Sequence, residues 1–207
     1  LIKGKDLSGG VVTSTKKGLS VKKVTNGDSP NYLFVDLVIA PGAQAGIYPL
    51  VIKKNGSVIH TINYSLEARA KNSANRPSYS TKDVIYLITP DRFANGNPGN
   101  DKVAGMRDMS LNRNALYDRH GGDLRGILDH LDYIKNMGFT AIWKMPEVEN
   151  DQTLESYHGY GITDHYKIDR RFGTNEDYRE LGMKTQANGM YLIKDIILNH
   201  CGSGHWW

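Results

Sequence analysis

The chain has 207 residues, enough for one large or two ordinary domains. Hydrophobic residues make up 39% and charged residues 23%, as in ordinary soluble globular proteins, and no apolar run is long enough to span a membrane. The net charge of +4 comes with dispersed lysine pairs that lack interleaved aromatic residues, so no nucleic-acid partner is predicted. Cys201 is the only cysteine, which excludes an internal disulfide.

The first 72 residues have the pattern of short β-strands. Leu33, Val35, Leu37 and Ile39 alternate with Tyr32, Phe34 and Asp36, which is the period of two expected for a half-buried strand. Asn55-Gly56, set between two such strands, is a strong hairpin signal. This pattern predicts a small β-sandwich domain over residues 1–72, followed by a polar linker at 73–82 without periodicity.

From residue 83 to residue 207 the pattern changes to strands that alternate with helices. A helix starting at Asp123 and ending at Gly138 has an apolar face, and Thr174 and Asp177 are spaced as a capping box. The predicted strands cover 84–89, 139–143 and 190–198, and the helices cover about 123–138 and 174–189. Val84–Thr89 is continuously apolar, as expected for a strand covered on both faces. This order predicts a parallel α/β sheet.

Two long loops, 91–120 and 145–173, follow strands of that sheet. In a (β/α)8 barrel this is the face on which active sites are built. Periodicity alone does not distinguish a barrel from an open doubly wound sheet, but no glycine-rich phosphate motif follows the first strand. That absence argues against a dinucleotide-binding fold.

Polar residues cluster in the first loop and around its end. Asparagine, aspartate and glycine at 95–101 and 121–123 are typical turn formers. They also supply the hard oxygen ligands that calcium prefers, although their spacing is not that of an EF-hand. The local sequence leaves both interpretations open. Likewise, Asn199-His200 after a strand is by itself typical of a loop cap.

Five short motifs occur in order in the second half of the chain. They are Asp91-Arg-Phe-Ala-Asn-Gly, Gly121-Gly-Asp-Leu-Arg-Gly, Leu131-Asp-Tyr-Ile, the block from Tyr157 to Thr174, and Asp195 to His200. Each is weak alone. Together they resemble the start of the catalytic barrel of the alpha-amylase family, and the whole chain resembles the N-terminal portion of its neopullulanase and cyclomaltodextrinase-type subgroup.

The resemblance implies an immunoglobulin-like β-sandwich followed by the first three βα units of a (β/α)8 barrel, truncated at residue 207. It implies that Tyr160 stacks under a sugar ring, since sugars have apolar faces, and that His200 donates a hydrogen bond to the sugar at the cleavage subsite. Asp195 would be a supporting acceptor that orients the active-site charges. His158 and Asn199 complete the implied substrate-binding set, the first by bracing its loop and the second by supporting the adjacent loop.

A structural calcium ion is implied in the first loop. The matching positions are Asn95, Asn97, Asn100, Asp101, the main-chain oxygen of Gly121, and Asp123. Asn97 stands where relatives often have Asp, so the implied site has one negative charge fewer and weaker affinity is expected.

The resemblance implies a glycoside hydrolase that cleaves α-1,4 bonds of starch oligosaccharides, pullulan or cyclodextrins with retention. The catalytic carboxylates of the family lie after later strands, so we assign none within residues 1–207 and expect this fragment to be inactive. The alternative is a non-catalytic glucan-binding or scaffold protein. The resemblance further implies a possible homodimer through the N-terminal domain and a periplasmic or secreted location.

Two lysines depart from the family pattern. Lys144 stands where the family usually has an apolar residue, and Lys194 occupies an otherwise apolar strand. Because an unpaired buried ammonium is costly, each lysine must reach solvent or a carboxylate.

Overall fold

A computed structural model describes all 207 residues. The chain divides into two compact units, Leu1–Arg76 and Pro77–Trp207. The division falls within the segment that the sequence predicts as a linker.

The first unit consists of six antiparallel strands. They are β1 (Ile2–Lys3), β2 (Val11–Ser14), β3 (Leu19–Asn26), β4 (Tyr32–Ile39), β5 (Gly46–Lys54) and β6 (Ser57–Leu66). One sheet has the order β1-β4-β3 and the other β2-β5-β6. Leu19 and Leu33 from the first sheet share a buried core with Tyr48, Leu50 and Ile52 from the second.

The hairpin predicted at Asn55-Gly56 is confirmed. β5 and β6 pair in antiparallel register up to Lys54 and Ser57. Asn55 has φ +52° and Gly56 φ +79°, the left-handed pair that a two-residue turn between twisted strands requires.

The second unit alternates strands and helices. Its elements are β7 (Ile85–Ile88), α1 (Pro90–Phe93), α2 (Leu124–Asp129), α3 (Leu131–Asn136), β8 (Ala141–Lys144), β9 (Val148–Glu149), β10 (Asp164–Ile168), α4 (Asn175–Ala187) and β11 (Tyr191–Lys194). β7, β8 and β11 form the predicted parallel sheet, with β8 in the centre. β9 and β10 form a small antiparallel ladder within the loop that follows β8. No helix combines the length and the apolar character needed to cross a bilayer.

One face of the parallel sheet carries the core. Ile88 and Ile142 pack there against residues of α2, α3 and α4, including Ile127 and Leu181. The opposite face is open: Leu87 is 56% exposed and Trp143 41%. The prediction that Val84–Thr89 is covered on both faces is therefore wrong for this chain, because the helices of these 207 residues all cover the same side.

The predicted helix at 123–138 is two short helices that meet at His130. Its ring nitrogen Nδ1 bonds the Gly126 carbonyl at 2.7 Å, so the His130 amide turns to Ile127 O instead. A side chain that takes an i−4 carbonyl competes with the helical ladder in this way. The strand predicted at 190–198 is also shorter and ends at Lys194.

The start and the end of α4 agree with the sequence. Thr174 Oγ1 accepts a hydrogen bond from the Asp177 amide, and the Asp177 carboxylate accepts one from the Thr174 amide, which confirms the capping box. Gly189 follows with φ +75°, the left-handed conformation that commonly ends a helix.

Candidate functional site

The carboxyl ends of the parallel strands bring together three of the predicted site residues. Tyr160 lies in the loop after β8, and Asp195 and His200 follow β11. The Tyr160 hydroxyl donates to Asp195 Oδ2 at 3.1 Å, and His200 Nε2 lies 3.0 Å from the Tyr160 carbonyl oxygen. The two loops are thus joined through both the side chain and the main chain of Tyr160.

The surroundings of His200 define its tautomer. A carbonyl oxygen only accepts, so Nε2 carries the hydrogen that bonds Tyr160 O. Nδ1 then accepts from the side-chain nitrogen Nδ2 of Asn199 at 3.2 Å. Both ring nitrogens are therefore engaged in this state, and a sugar hydroxyl would compete with Tyr160 O for the Nε2 hydrogen. Direct sugar contact by His200 and by Asn199 stays a prediction.

His158 braces the same loop. Its Nδ1 accepts from the Tyr160 amide at 2.9 Å, and the two rings stack with centroids 5.7 Å apart. Burial lowers the pKa of His158, against the opposing effect of the Glu155 carboxylate. The neutral ring therefore accepts at Nδ1 and carries its hydrogen on Nε2.

Tyr160 combines an aromatic face with an anchored hydroxyl. Burial raises the pKa of its phenol, and the hydrogen bond to Asp195 raises it further. The phenol thus remains protonated and holds its ring in a fixed orientation. An oriented ring of this kind suits the apolar face of a sugar.

Gly159 allows this loop to approach the main chain that follows β8. It has φ +82°, and a Cβ on it would lie 2.0 Å from the Pro146 carbonyl oxygen. Only glycine fits both the conformation and the space. The position of Tyr160 therefore depends directly on the position of Pro146.

The loop after β7 brings part of the predicted calcium set together. Asn95 Nδ2 donates to Asp101 Oδ1 at 2.7 Å. Gly121 has φ +86°, and a Cβ there would lie 2.7 Å from the same Asp101 oxygen. The side-chain oxygens of Asn95 and Asn100 are buried without a hydrogen-bond partner. Buried oxygens of this kind call for a donor or a cation.

The remaining two residues of the set have local partners. Asp123 accepts from the amides of Gly96, Asn97 and Gly126 at 3.1, 2.8 and 2.7 Å, and so caps α2. Asn97 Oδ1 accepts from the Gly99 amide at 3.1 Å. No cluster of three or more histidine, cysteine, aspartate or glutamate side chains is suited to a metal. A cation bound by the full predicted set would thus share the oxygens of Asn97 and Asp123 with these main-chain amides.

Sequence reasoning missed a buried charge network that holds the two long loops together. Arg171 makes a bidentate contact with Asp169 at 2.9 and 2.7 Å, and it also donates to the carbonyl oxygens of Asp108 and Asn150. The Asp108 carboxylate accepts from the amide and hydroxyl of Ser156. Asp169 and Arg171 fall inside the Tyr157–Thr174 block. The Asp-Arg-Arg-Phe run at 169–172 was therefore the sequence signal that could have indicated this network.

The network lowers the pKa of two of its carboxylic acids, Asp108 and Asp169. Burial alone would raise the pKa of Asp108, but hydrogen bonds from Ser110 and Ser156 bring it below its ordinary value. Burial likewise opposes ionisation of Asp169, and its contacts with Arg171 and Arg119 lower the pKa. Both carboxylates are therefore ionised inside the loops.

The lysines that depart from the family pattern have different environments. Lys194 is exposed. Lys144 is completely buried and pairs with the equally buried Glu147. Burial lowers the pKa of Lys144, while Glu147 opposes that shift. Lys144 therefore meets the expectation of a carboxylate partner, although the sequence did not identify Glu147 as that partner.

Both parts of the chain match known protein families. Residues 87–207 match the model of the alpha-amylase catalytic domain, and residues 1–70 match that of the cyclomaltodextrinase N-terminal domain. A beta/alpha-amylase of Paenibacillus polymyxa is 41% identical over 59% of this chain and 10% of its own length. A cyclomaltodextrinase of Thermoanaerobacter pseudethanolicus is 37% identical over 61% of this chain and 21% of its own.

A crystal structure of an Anoxybacillus alpha-amylase is 45% identical over 60% of this chain and 26% of its own, with a TM-score of 0.52. The chain thus spans about a quarter or less of the length of these relatives.

Proposed function

This chain belongs to the alpha-amylase family, and we propose that the natural polypeptide containing it hydrolyses α-glucans. Its N-terminal part would be an immunoglobulin-like sandwich, and its second part the first three βα units of a (β/α)8 barrel. The observation that carries the proposal is the hydrogen-bonded group of Tyr160, Asp195 and His200 at the carboxyl ends of parallel strands. That edge is where a barrel of this kind places its active site.

The proposed reaction is retaining cleavage of α-1,4 bonds in starch oligosaccharides, pullulan or cyclodextrins. Tyr160 would support the sugar ring, with Asp195 holding the phenol and His200 at the ring's edge. The acid and the nucleophile would come from sequence beyond residue 207, so we propose that residues 1–207 alone do not hydrolyse glucans.

The test compares the 207-residue chain with the full natural polypeptide on β-cyclodextrin, pullulan and maltoheptaose. Proton NMR should show the α-anomer as the first product of the full polypeptide, and no product from the short chain. A β-anomer formed first would overturn retention. Binding without any product from the full polypeptide would favour a non-catalytic glucan-binding or scaffold protein instead.

We propose a structural calcium ion in the loop after β7. The buried, unpartnered oxygens of Asn95 and Asn100, together with the Asp101 carboxylate beside Gly121, fit a cation better than an anion. Asn97, Asp123 and the Gly121 carbonyl are the further proposed ligands. Bound calcium would supply positive charge and would tie the loop to the start of α2.

We propose that the sandwich domain contributes to a homodimer and that the enzyme acts in the periplasm or outside the cell. The exposed apolar side chains of Phe34, Val38 and Ile39 on β4 support the first part. The second part rests on the family resemblance alone. Sedimentation of the full polypeptide tests the dimer, and fractionation of the producing cells tests the location.

A further inference from the structure

Lys144 and Glu147 form a buried ion pair at the neck of the loop that carries Tyr160. Lys144 is the last residue of β8, and Glu147 follows three residues later. Both side chains are fully buried, on the helix-covered side of the sheet, and the Lys144 ammonium lies 4.6 Å from the centre of the Tyr178 ring on α4. The pair is therefore buried between the sheet and the helices.

A second lysine and a second carboxylate lie near this pair. Lys194 on β11 is in register with Lys144 and also approaches the Tyr178 ring, at 4.9 Å. Asp195 lies near enough to act on Lys144 but bonds Tyr160. Glu147 is thus the carboxylate that faces the buried ammonium directly, and its charge also interacts with Lys194.

The pair is not an efficient source of stability. Lys144 Nζ and Glu147 Oε1 contact each other, and no further hydrogen bond satisfies the buried ammonium or the second carboxylate oxygen. Buried ion pairs with unsatisfied groups are often no more stable than apolar side chains of the same volume. In β7, the residue in register with Lys144 is Ile88, so an apolar side chain suits this row of the sheet. Stability alone therefore does not account for the pair.

The main chain of Pro146 and Glu147 connects the pair to the loop that carries Tyr160. The Glu147 carbonyl accepts a hydrogen bond from the Asp169 amide at 2.8 Å, which closes the loop 147–169 at its neck. The preceding carbonyl, that of Pro146, is the one against which Gly159 packs. Glu147 thus belongs to a turn whose main chain contacts both the far end of the loop and the residue before Tyr160.

We propose that Lys144 and Glu147 are positioning residues that set the place of Tyr160 in the sugar site. The buried ammonium contacts one carboxylate directly, that of Glu147, so this contact favours one position of the turn 145–147. Apolar side chains would fill the same space without that directional requirement. This inference rests on the proposed function, since its kinetic effect appears on glucan turnover.

The experiment replaces the pair in the full natural polypeptide. The variant Lys144→Met with Glu147→Leu removes both charges at similar volume and should keep the melting temperature at or above that of the wild type. Its kcat/KM on p-nitrophenyl maltotrioside should fall about 10- to 100-fold, the scale expected for displacement of a substrate-positioning group. Lys144→Arg keeps the ion pair and should retain most of the wild-type kcat/KM.

Two further measurements separate positioning from folding. Glu147→Gln removes the carboxylate in contact with the buried ammonium and should lower the melting temperature. Glu180→Gln removes a carboxylate from a partly exposed pair with Arg125 and should lower it much less. Tyrosine labelled with carbon-13 reports the titration of Tyr160, which should move towards the ordinary range of tyrosine in the double variant as the bond to Asp195 loosens.

The outcomes are distinguishable. A double variant with wild-type kcat/KM and an unchanged Tyr160 titration would overturn the proposal. So would a double variant that does not fold while Lys144→Arg folds, because the proposal requires an apolar pair to be tolerated. If the wild-type polypeptide turns over no glucan, the proposed function fails, and the Tyr160 titration still decides whether the pair positions this residue.

Discussion

The Tyr160 hydroxyl donates a hydrogen bond of 3.1 Å to Asp195 Oδ2, which joins residues 35 positions apart. The bond links the loop after β8 to the segment after β11. Because the two strands are parallel neighbours, their carboxyl ends lie side by side and bring these residues within reach. One hydrogen bond therefore connects the aromatic platform to the strand end behind it.

Replacing Tyr160 by Phe should remove this bond and keep the ring. We expect the free energy of unfolding to fall by about 0.5–1.5 kcal/mol, the usual contribution of such a bond. Glucan binding should weaken less in this variant than in Tyr160→Ala, which also removes the stacking surface. Urea unfolding measures the first effect and calorimetric titration with maltoheptaose the second. Tyr166→Phe is the control, since Tyr166 is 80% exposed; an equal loss of stability there would contradict the assignment.

Replacing Gly159 by Ala should disrupt the loop. The new methyl group would meet the Pro146 oxygen at 2.0 Å, in addition to the strain of φ +82°. We expect a loss of more than about 4 kcal/mol, the range reserved for specific steric failures. Gly138→Ala is the matched control: its φ is +91° but no atom lies within 4 Å, so only the conformational cost of about 1–2 kcal/mol remains. Similar losses in urea unfolding of the two variants would contradict the steric argument.

Asp108 should make stability depend on pH in the acid range. Its pKa in the folded chain lies below the ordinary value of 3.8, so its contribution is present above about pH 4 and is lost as the pH falls through the folded value. Asp108→Asn should therefore be less stable than the wild type at pH 7, and the difference should shrink towards pH 2. Unfolding by urea across this range measures it. Asp6→Asn, at an exposed ion pair, should change stability little at either pH.

Calcium should raise the melting temperature of the wild type if the loop after β7 binds it. At a free concentration of one hundred times Kd, binding adds about 2.7 kcal/mol to the free energy of unfolding. Asn95→Leu removes one buried oxygen and should abolish the shift, whereas Asn63→Leu, exposed on β6, should preserve it. Scanning calorimetry in the presence of calcium and in the presence of a chelator measures the shift in melting temperature. An identical shift in both variants would exclude Asn95 as a ligand.

Local signals predicted the local geometry well. The Asn55-Gly56 turn and the Thr174–Asp177 capping box depend on residues close in sequence, and both are confirmed. The prediction of a continuous helix at 123–138 was wrong, because the His130 ring forms a hydrogen bond with the Gly126 carbonyl and packs against Phe93. Apolar periodicity carries no information about such a side-chain competition.

The sequence by itself determined the family, the two-part organisation and the identity of the loops that carry Tyr160, Asp195 and His200, because these depend on motifs and periodicity along the chain. Only the tertiary structure decided which of these side chains meet, since contacts across 35 positions depend on how strands pair. It also showed that Lys144 is buried against Glu147, and that the sheet is covered on one face. Burial and charge pairing are properties of packed elements, and no local sequence pattern contains them.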